Sequence, residues 1–277
     1  MGKALVLGGG GVAGIAWETG VLLGLARAGL DLTDADLLVG TSAGSVVATQ
    51  VATGVPLEEL YARQVAAGPG GELRSTLDIE GMASTFIELM ADRPDPEELR
   101  RRIGAWAMSV DTVPESERRE VIATRLPVHE WPDRDLRITA VDAHDGRFVV
   151  FDRTSGVALI DAVAASCAVP GVWPPVTIDG RRHIDGGIRS TVNADLAAGL
   201  ERVVVVCPVT QGLGGDVTGE VASLRDAGAA VAVVAADDAS VAAFGPDLLD
   251  PASRVPSAEA GLAQAASVTD AVREVWS

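Results

Sequence analysis

Ser42 stands in Gly40-Thr41-Ser42-Ala43-Gly44, a G-x-S-x-G pattern in which a serine hydroxyl becomes a nucleophile if the chain turns sharply around it. The apolar run Leu37-Leu38-Val39 stops at that pattern, and a helix-compatible run, Ala43 to Ala52, follows directly. This predicts the strand, turn and helix that such an elbow requires. The two glycines let the backbone turn without a Cβ clash. The turn sets the hydroxyl at a helix N-terminus, where the dipole and free N–H groups favour a developing anion. On five residues alone, an ordinary serine N-cap on a strand-to-helix turn fits as well.

A serine hydroxyl is a poor nucleophile until a base takes its proton. The histidines are His129, His144 and His183, and none follows Asp185. An α/β-hydrolase triad places its histidine late in the chain, so this inventory argues against a triad. His129 lies in a connector and His144 in a hairpin turn, both expected at the surface. Asp185 is the better candidate. It follows the short run His183-Ile184 and precedes Gly186-Gly187, which allow close backbone approach. A carboxylate at a strand end can act as a base directly, if it is held within hydrogen-bond reach. Taken alone, Asp-Gly-Gly also reads as a plain turn.

The third feature is Gly8-Gly9-Gly10-Gly11-Val12-Ala13-Gly14, between the apolar run Lys3 to Leu7 and a helical run, Ile15 to Ala28. Gly9, Gly11 and Gly14 match G-x-G-x-x-G, a dinucleotide-binding spacing. That fold needs an acid at the end of the second strand to hold the ribose. Here that end is Gly40-Thr41-Ser42, and Asp36 lies before the strand, so the required context is missing. No Lys-Ser or Lys-Thr follows the last glycine, which removes a P-loop. What remains is either a tight turn or an oxyanion hole: several bare N–H groups at the mouth of a helix, near where strand two delivers Ser42.

The elements that must position these residues alternate. Strand, glycine loop, helix and strand open the chain and imply a parallel pair with a right-handed crossover. Residues 55–127 read as a helical insertion, with helices at Pro56 onward, Ile79 to Met90, Pro96 to Met108 and Glu115 to Leu126, broken at Gly68-Pro69-Gly70-Gly71. This block is a candidate lid. Its apolar residues Leu77, Ile79, Met82, Phe86, Ile87, Leu89 and Met90 would line an acyl slot or form ordinary helix core. Leu136 to Asp142 and Arg147 to Asp152 flank an Asp-Gly hairpin turn, and Val176 to Ile178 and His183-Ile184 flank another. Leu159 to Ala168 reads as a short helix and Arg202 to Val206 as a buried strand. From Val217 on, the chain is Ala-rich and is expected to be mostly helical over 217–277. With no repeat and no linker, 1–277 reads as one domain.

Composition excludes several classes. Lys plus Arg is 22 and Asp plus Glu is 39 in 277 residues, a net charge of −17. Such a surface repels phosphate backbones, so nucleic acid is not an expected partner. No apolar run approaches the roughly 18 residues of a membrane span, which leaves transient membrane contact only. Cys167 and Cys207 sit among apolar residues with no C-x-x-C spacing and read as buried free thiols. The start of the chain lacks a signal-peptide core, and the expected address is the cytoplasm.

Together, Gly9-Gly10-Gly11-Val12-Ala13-Gly14, Gly40-Thr41-Ser42-Ala43-Gly44, Ala165-Ser166-Cys167-Ala168-Val169-Pro170-Gly171 with Pro174-Pro175-Val176, and Asp185-Gly186-Gly187 resemble the patatin-like phospholipases, over roughly residues 3–207. The resemblance implies an α/β fold, a three-layer α/β/α sandwich with a mainly parallel central sheet and a helical lid. It implies a serine acyl hydrolase that cleaves lipid esters through an acyl-enzyme, with Ser42 as nucleophile, Asp185 as general base, Gly9, Gly10 and Gly11 as the oxyanion hole, and no metal or other cofactor. One departure stands out. The family's glycine loop often carries Arg or Lys just before its last glycine, and this chain has Ala13. Either another cation compensates, with Arg189 the candidate, or the chain is a catalytically weak or inactive lipid binder.

Overall fold

The structure, a computed structural model, describes residues 2–68, 71–73, 79–213 and 215–277. Strands β1 (Lys3–Leu7) and β2 (Leu37–Gly40) bracket helix α1 (Gly11–Arg27), and α2 (Ala43–Ala52) leaves the end of β2. Four helices follow without an intervening strand among the described residues: α3 (Leu57–Val65), α4 (Ile79–Met90), α5 (Pro96–Ala107) and α6 (Glu115–Arg125). Next come β3 (Asp135–Asp142), β4 (Phe148–Phe151), α7 (Leu159–Ser166), β5 (Val176–Ile178), β6 (Arg181–Asp185) and β7 (Arg202–Cys207). The small hairpin β8 (Gln211–Gly212) and β9 (Gly215–Asp216), α8 (Val217–Asp226), β10 (Ala230–Ala235), α9 (Asp238–Phe244) and α10 (Arg254–Trp276) complete the chain.

The main sheet runs β10-β7-β1-β2-β3-β6-β5, with β4 also on β3. The pairs from β10 to β3 are parallel, and β4, β5 and β6 join antiparallel. Strand periodicity builds the layers. Leu5 and Leu7 of β1, Leu38 of β2 and Val204 and Val206 of β7 face one core with residues of α1, α2, α7 and α10. Ala4, Val6, Leu37, Val39, Val203 and Val205 face another, covered by α8 and the turn at 194–197. A third, smaller cluster joins Ile103 and Ala107 of α5 to Val141 and Ile184. Strands apolar on both faces are what a sheet covered on both sides demands. The fold is a mixed α/β sandwich with a mainly parallel sheet flanked by helices.

Two boundaries differ from expectation in ways that matter. Helix α1 starts at Gly11, inside the glycine run, so the loop and the helix N-terminus are one feature. The region 217–277 is not all helix: Ala230–Ala235 forms the edge strand β10, in register with β7. Ala-Val-Ala-Val-Val-Ala carries as much helix-forming alanine as strand-forming valine, and pairing with a buried parallel neighbour decides the outcome. No helix among the described residues is long and apolar enough to cross a membrane.

Candidate active site

Ser42 has φ 52° and ψ −117°, a backbone conformation that side chains rarely adopt. The strain falls on the serine itself, while its flanking glycines are needed for close approach. A Cβ on Gly44 would lie 2.1 Å from the Leu7 carbonyl oxygen, and one on Gly40 would lie 2.5 Å from Ser45 Cα. Hydrogen bonds hold the elbow from several sides. The Ser42 N–H donates to Ser166 Oγ at 2.9 Å. Ser45 Oγ and Cys167 Sγ both donate to the Ser42 carbonyl, at 2.6 and 3.3 Å. The Gly44 N–H reaches the carbonyls of Gly8 and Thr41.

Asp185 arrives beside this elbow through sheet register. Ile138, Ala140 and Val141 of β3 each pair with β4, so β4 occupies one edge of β3. On the other edge, β2 ends with Gly40 opposite Ile138, and β6 ends with Asp185 opposite Ala140. Strands β2 and β6 therefore meet end to end along β3, with Thr139 between. Their tips carry Ser42 and Asp185. The Ser42 hydroxyl acts on the Asp185 carboxyl and lowers its pKa. The Gly187 N–H donates to Asp185 Oδ1 at 2.7 Å. Asp185 is only 4% exposed. Burial pushes its pKa up to about 7, against the lowering effects of the Ser42 hydroxyl and the Gly187 N–H.

A buried polar knot fixes this junction. Thr41 Oγ1 and Thr139 Oγ1 are 2.9 Å apart. Asn193 Nδ2 donates to Thr41 Oγ1 at 3.0 Å and to the Ser190 carbonyl at 2.9 Å, with longer contacts to Thr139 Oγ1 and the Gly186 carbonyl. Asn193 thus ties the end of β2, the middle of β3 and the turn after Asp185 together. It adopts φ 52°, a left-handed conformation that asparagine tolerates better than most residues. Replacing Asn193 by alanine leaves buried acceptors without a donor. The expected loss is about 1–3 kcal/mol, seen as a melting temperature lower by several degrees. An unchanged melting temperature would show that the knot is not a stabilising unit.

The three loop glycines are not equivalent. The Gly9 N–H is committed to the Thr191 carbonyl at 2.8 Å. The Gly10, Gly11 and Ala43 N–H groups find no acceptor among the described residues. Gly11 has φ +61°, and a Cβ there would lie 2.6 Å from the Leu248 carbonyl oxygen. Ala13 is fully buried and its N–H donates to Leu248, at 3.1 Å. Arg189 points elsewhere: it pairs with Asp195 at 2.7 Å and lies 4.1 Å over the Phe148 ring. His129 and His144 are exposed, and His183 packs edge-on against Phe151.

Ser42, Asp185 and the loop glycines open onto a cleft of about 370 Å³. Its apolar walls are Val169, Pro170, Ile188, Val209, Pro246, Leu248 and Leu249. The candidate lid does not line it among the described residues. Phe86 and Leu89 of α4 pack toward the small α5 cluster, Ile87 is exposed and Met90 is at the surface. Leu77 lies outside the described residues, as do Pro69 and Gly70 and the side chains of Ile79 and Met82. The segment 246–249 that forms one wall carries no periodicity, so nothing in its sequence pointed to the site. Cys167 and Cys207 are buried free thiols.

A serine at a strained strand-to-helix elbow, on a mixed α/β sandwich with a mainly parallel sheet, defines the class of fold. The chain belongs to the patatin-like phospholipase family, whose model matches residues 5–198. Among solved structures it is similar to VipD from Legionella pneumophila, at 14% identity and TM-score 0.49, over 98% of this chain and 66% of that one. It is similar to the type III effector protein ExoU, at 14% identity and TM-score 0.39, over 96% of this chain and 53% of that one. A third likeness is to ExoU in complex with SpcU, from the type III secretion system of Pseudomonas aeruginosa, at 15% identity and TM-score 0.36, over 96% of this chain and 52% of that one. The chain spans less than two thirds of the length of each of these. No curated protein matches it.

Proposed function

We propose that the chain is a serine acyl hydrolase that cleaves lipid carboxylic esters through an acyl-enzyme on Ser42, with Asp185 as the base. The observation that carries this reading is a serine at a strained elbow sharing one cleft with a buried carboxyl whose pKa lies at about 7. A carboxylate of ordinary pKa is a weak base; one near the working pH takes a proton far more readily.

Ser42 Oγ attacks the ester carbonyl as Asp185 accepts its proton. The carbonyl oxygen becomes an oxyanion, which the N–H groups of Gly10, Gly11 and Ala43 stabilise. Gly9 acts by shaping the loop, since its own N–H is taken by Thr191. Collapse expels the alcohol, which takes the proton from Asp185. Water then attacks the acyl-enzyme, with Asp185 again the base, and the acid leaves. The acyl chain lies along the apolar walls formed by 246–249 and 169–170. In this reading 1–277 is one acyl-hydrolase domain, 55–127 is a helical insertion, and the chain acts in the cytoplasm.

The pH profile tests the base. Asp185 must be ionised to accept the proton, so kcat/KM on 4-nitrophenyl butyrate is expected to rise about tenfold per pH unit below about 7 and to level off above it. A profile flat from pH 5 to 8 would contradict the assignment. Ala13 motivates the alternative, a lipid binder with little turnover, and it is the reading that stands if the wild type shows no Ser42-dependent hydrolysis.

A further inference from the structure

Leu249 is set apart from its neighbour in the cleft wall. Leu248 packs against the main core, whereas Leu249, half-buried, belongs to none of the core clusters among the described residues. It borders empty space on two sides. One is the open cleft, and the other is a smaller chamber of about 10 Å³, room for about one water-sized group. Gly11, Ser42 and Val169 line both spaces as well, so the nucleophile and Leu249 share the boundary between them. The tip of Leu249 rests on the glycine loop: a Cβ on Gly11 would lie 2.9 Å from Leu249 Cδ2.

The segment that carries Leu249 is fixed to the loop it touches. The Leu248 carbonyl accepts the Ala13 N–H at 3.1 Å, which satisfies one of the donors left over at the start of α1. The Leu249 N–H donates to Asp247 Oδ1 at 2.9 Å, and the Asp250 N–H to the Asp247 carbonyl at 3.1 Å. Just beyond, α10 lies directly on α1: a Cβ on Gly20 would strike the Ala258 carbonyl, and one on Gly261 the Trp17 carbonyl. Helices in such close contact leave the wall and the glycine loop little room to separate. The hydrogen bonds of the segment use main-chain groups and the Asp247 carboxylate, so the Leu249 side chain is held in place without itself holding the fold. Residues 246–249 lie outside the stretch 5–198 matched to the family, so the match does not account for this wall.

We propose that Leu249 is a specificity residue that confines this hydrolase to acyl groups unbranched at C2, the carbon next to the ester carbonyl. This rests on the Ser42 hydrolase reading and adds the shape of the acyl group to it. The scissile carbonyl meets Ser42 with its oxygen toward the Gly10 and Gly11 N–H groups, and Leu249 rests on Gly11 beside it. One arm from C2 runs into the apolar cleft. A second arm has only the small chamber to enter, and that takes about one water-sized group. Leu249 closes the way to anything larger. Leucine carries three carbons beyond its Cβ, as many as a propyl arm, so its truncation to alanine makes the room that such an arm needs.

The test compares 4-nitrophenyl pentanoate with 4-nitrophenyl 2-propylpentanoate, which differ by one propyl arm on C2. Each kcat/KM is divided by the rate constant of the same ester with hydroxide, which removes the intrinsic slowness of the branched ester. The quantity read is the branched-to-straight ratio. In the wild type the straight ester is expected to be favoured about 100-fold, since one misplaced methylene in an apolar pocket already costs about 10- to 200-fold. Leu249→Ala is expected to raise the ratio about 10- to 100-fold, and Leu249→Val, which removes one carbon, to raise it less. Leu249→Phe refills the space and should leave the ratio no higher than in the wild type. A merely structural Leu249 would change both esters alike, and a ratio unchanged in the alanine and valine variants would overturn the proposal. A wild type that takes both esters equally would overturn it too. If alanine unfolds the protein, the valine variant reads the ratio; unfolding of both would place Leu249 in the core and count against the assignment. A wild type that hydrolyses neither ester, or whose hydrolysis survives Ser42→Ala, overturns the hydrolase reading itself and the specificity role with it.

Discussion

Replacing Ser42 by alanine is expected to lower kcat/KM on 4-nitrophenyl butyrate by about 10⁴-fold or more, the loss typical when a nucleophile that acts with its base is removed. The fold should survive, because the elbow is held by backbone groups: the Ser42 N–H on Ser166, the Ser42 carbonyl on Ser45 and Cys167, and the Gly44 N–H on Gly8 and Thr41. Ser42→Gly separates strain from chemistry. Alanine keeps a Cβ at φ 52°, whereas glycine adopts that angle freely. Both variants should be inactive, and the glycine variant should melt above the alanine variant, by an amount corresponding to about 1 kcal/mol. Retention of wild-type turnover by either one would remove Ser42 from the mechanism.

Asp185→Asn is expected to abolish turnover to a similar degree and to stabilise the protein at the same time. The folded-state pKa of about 7 lies above the ordinary 3.8. A carboxyl shifted in this direction contributes its full stability below the unfolded value, and that contribution is lost as pH rises through about 7. The wild type therefore gives up stability on the order of 2–4 kcal/mol between about pH 4 and pH 8, by keeping an ionised carboxylate buried. Asparagine has no charge to bury, and its carbonyl can still accept from the Gly187 N–H. At pH 8 the variant should melt several degrees above wild type, with the gap closing as pH falls toward 5. An Asp185→Asn protein that melts lower than wild type at pH 8 would mean that the carboxylate is better solvated than its burial implies. Stability given up at one carboxylate is the trade expected of a site built for proton transfer.

The sequence showed the parts of the site more clearly than their assembly. The elbow was legible because Leu37-Leu38-Val39 breaks at glycines that tolerate no side chain, and Asp185 was legible because two glycines follow a short strand. Their meeting was not legible, since it depends on β2 and β6 sharing one edge of β3, a matter of register between segments far apart in the chain. The oxyanion role of the glycine loop narrowed once the structure placed the Gly9 N–H on Thr191. Asn193 gave no signal at all: its role comes from four buried acceptors brought together by three separate elements. The strand β10 and the wall at 246–249 were missed because alanine-rich and aperiodic stretches carry little local information, and tertiary partners decide their structure.

The central claim is that Ser42 is a nucleophile activated by Asp185, and active-site labelling tests it most directly. A fluorophosphonate reacts only with an activated serine and leaves a covalent adduct that mass spectrometry locates on a peptide. The expected result is one adduct per chain on Ser42 in the wild type at pH 8, with labelling slowed at least about 100-fold in Asp185→Asn. An unlabelled wild type, an adduct on another residue, or equal labelling of wild type and Asp185→Asn would contradict the account.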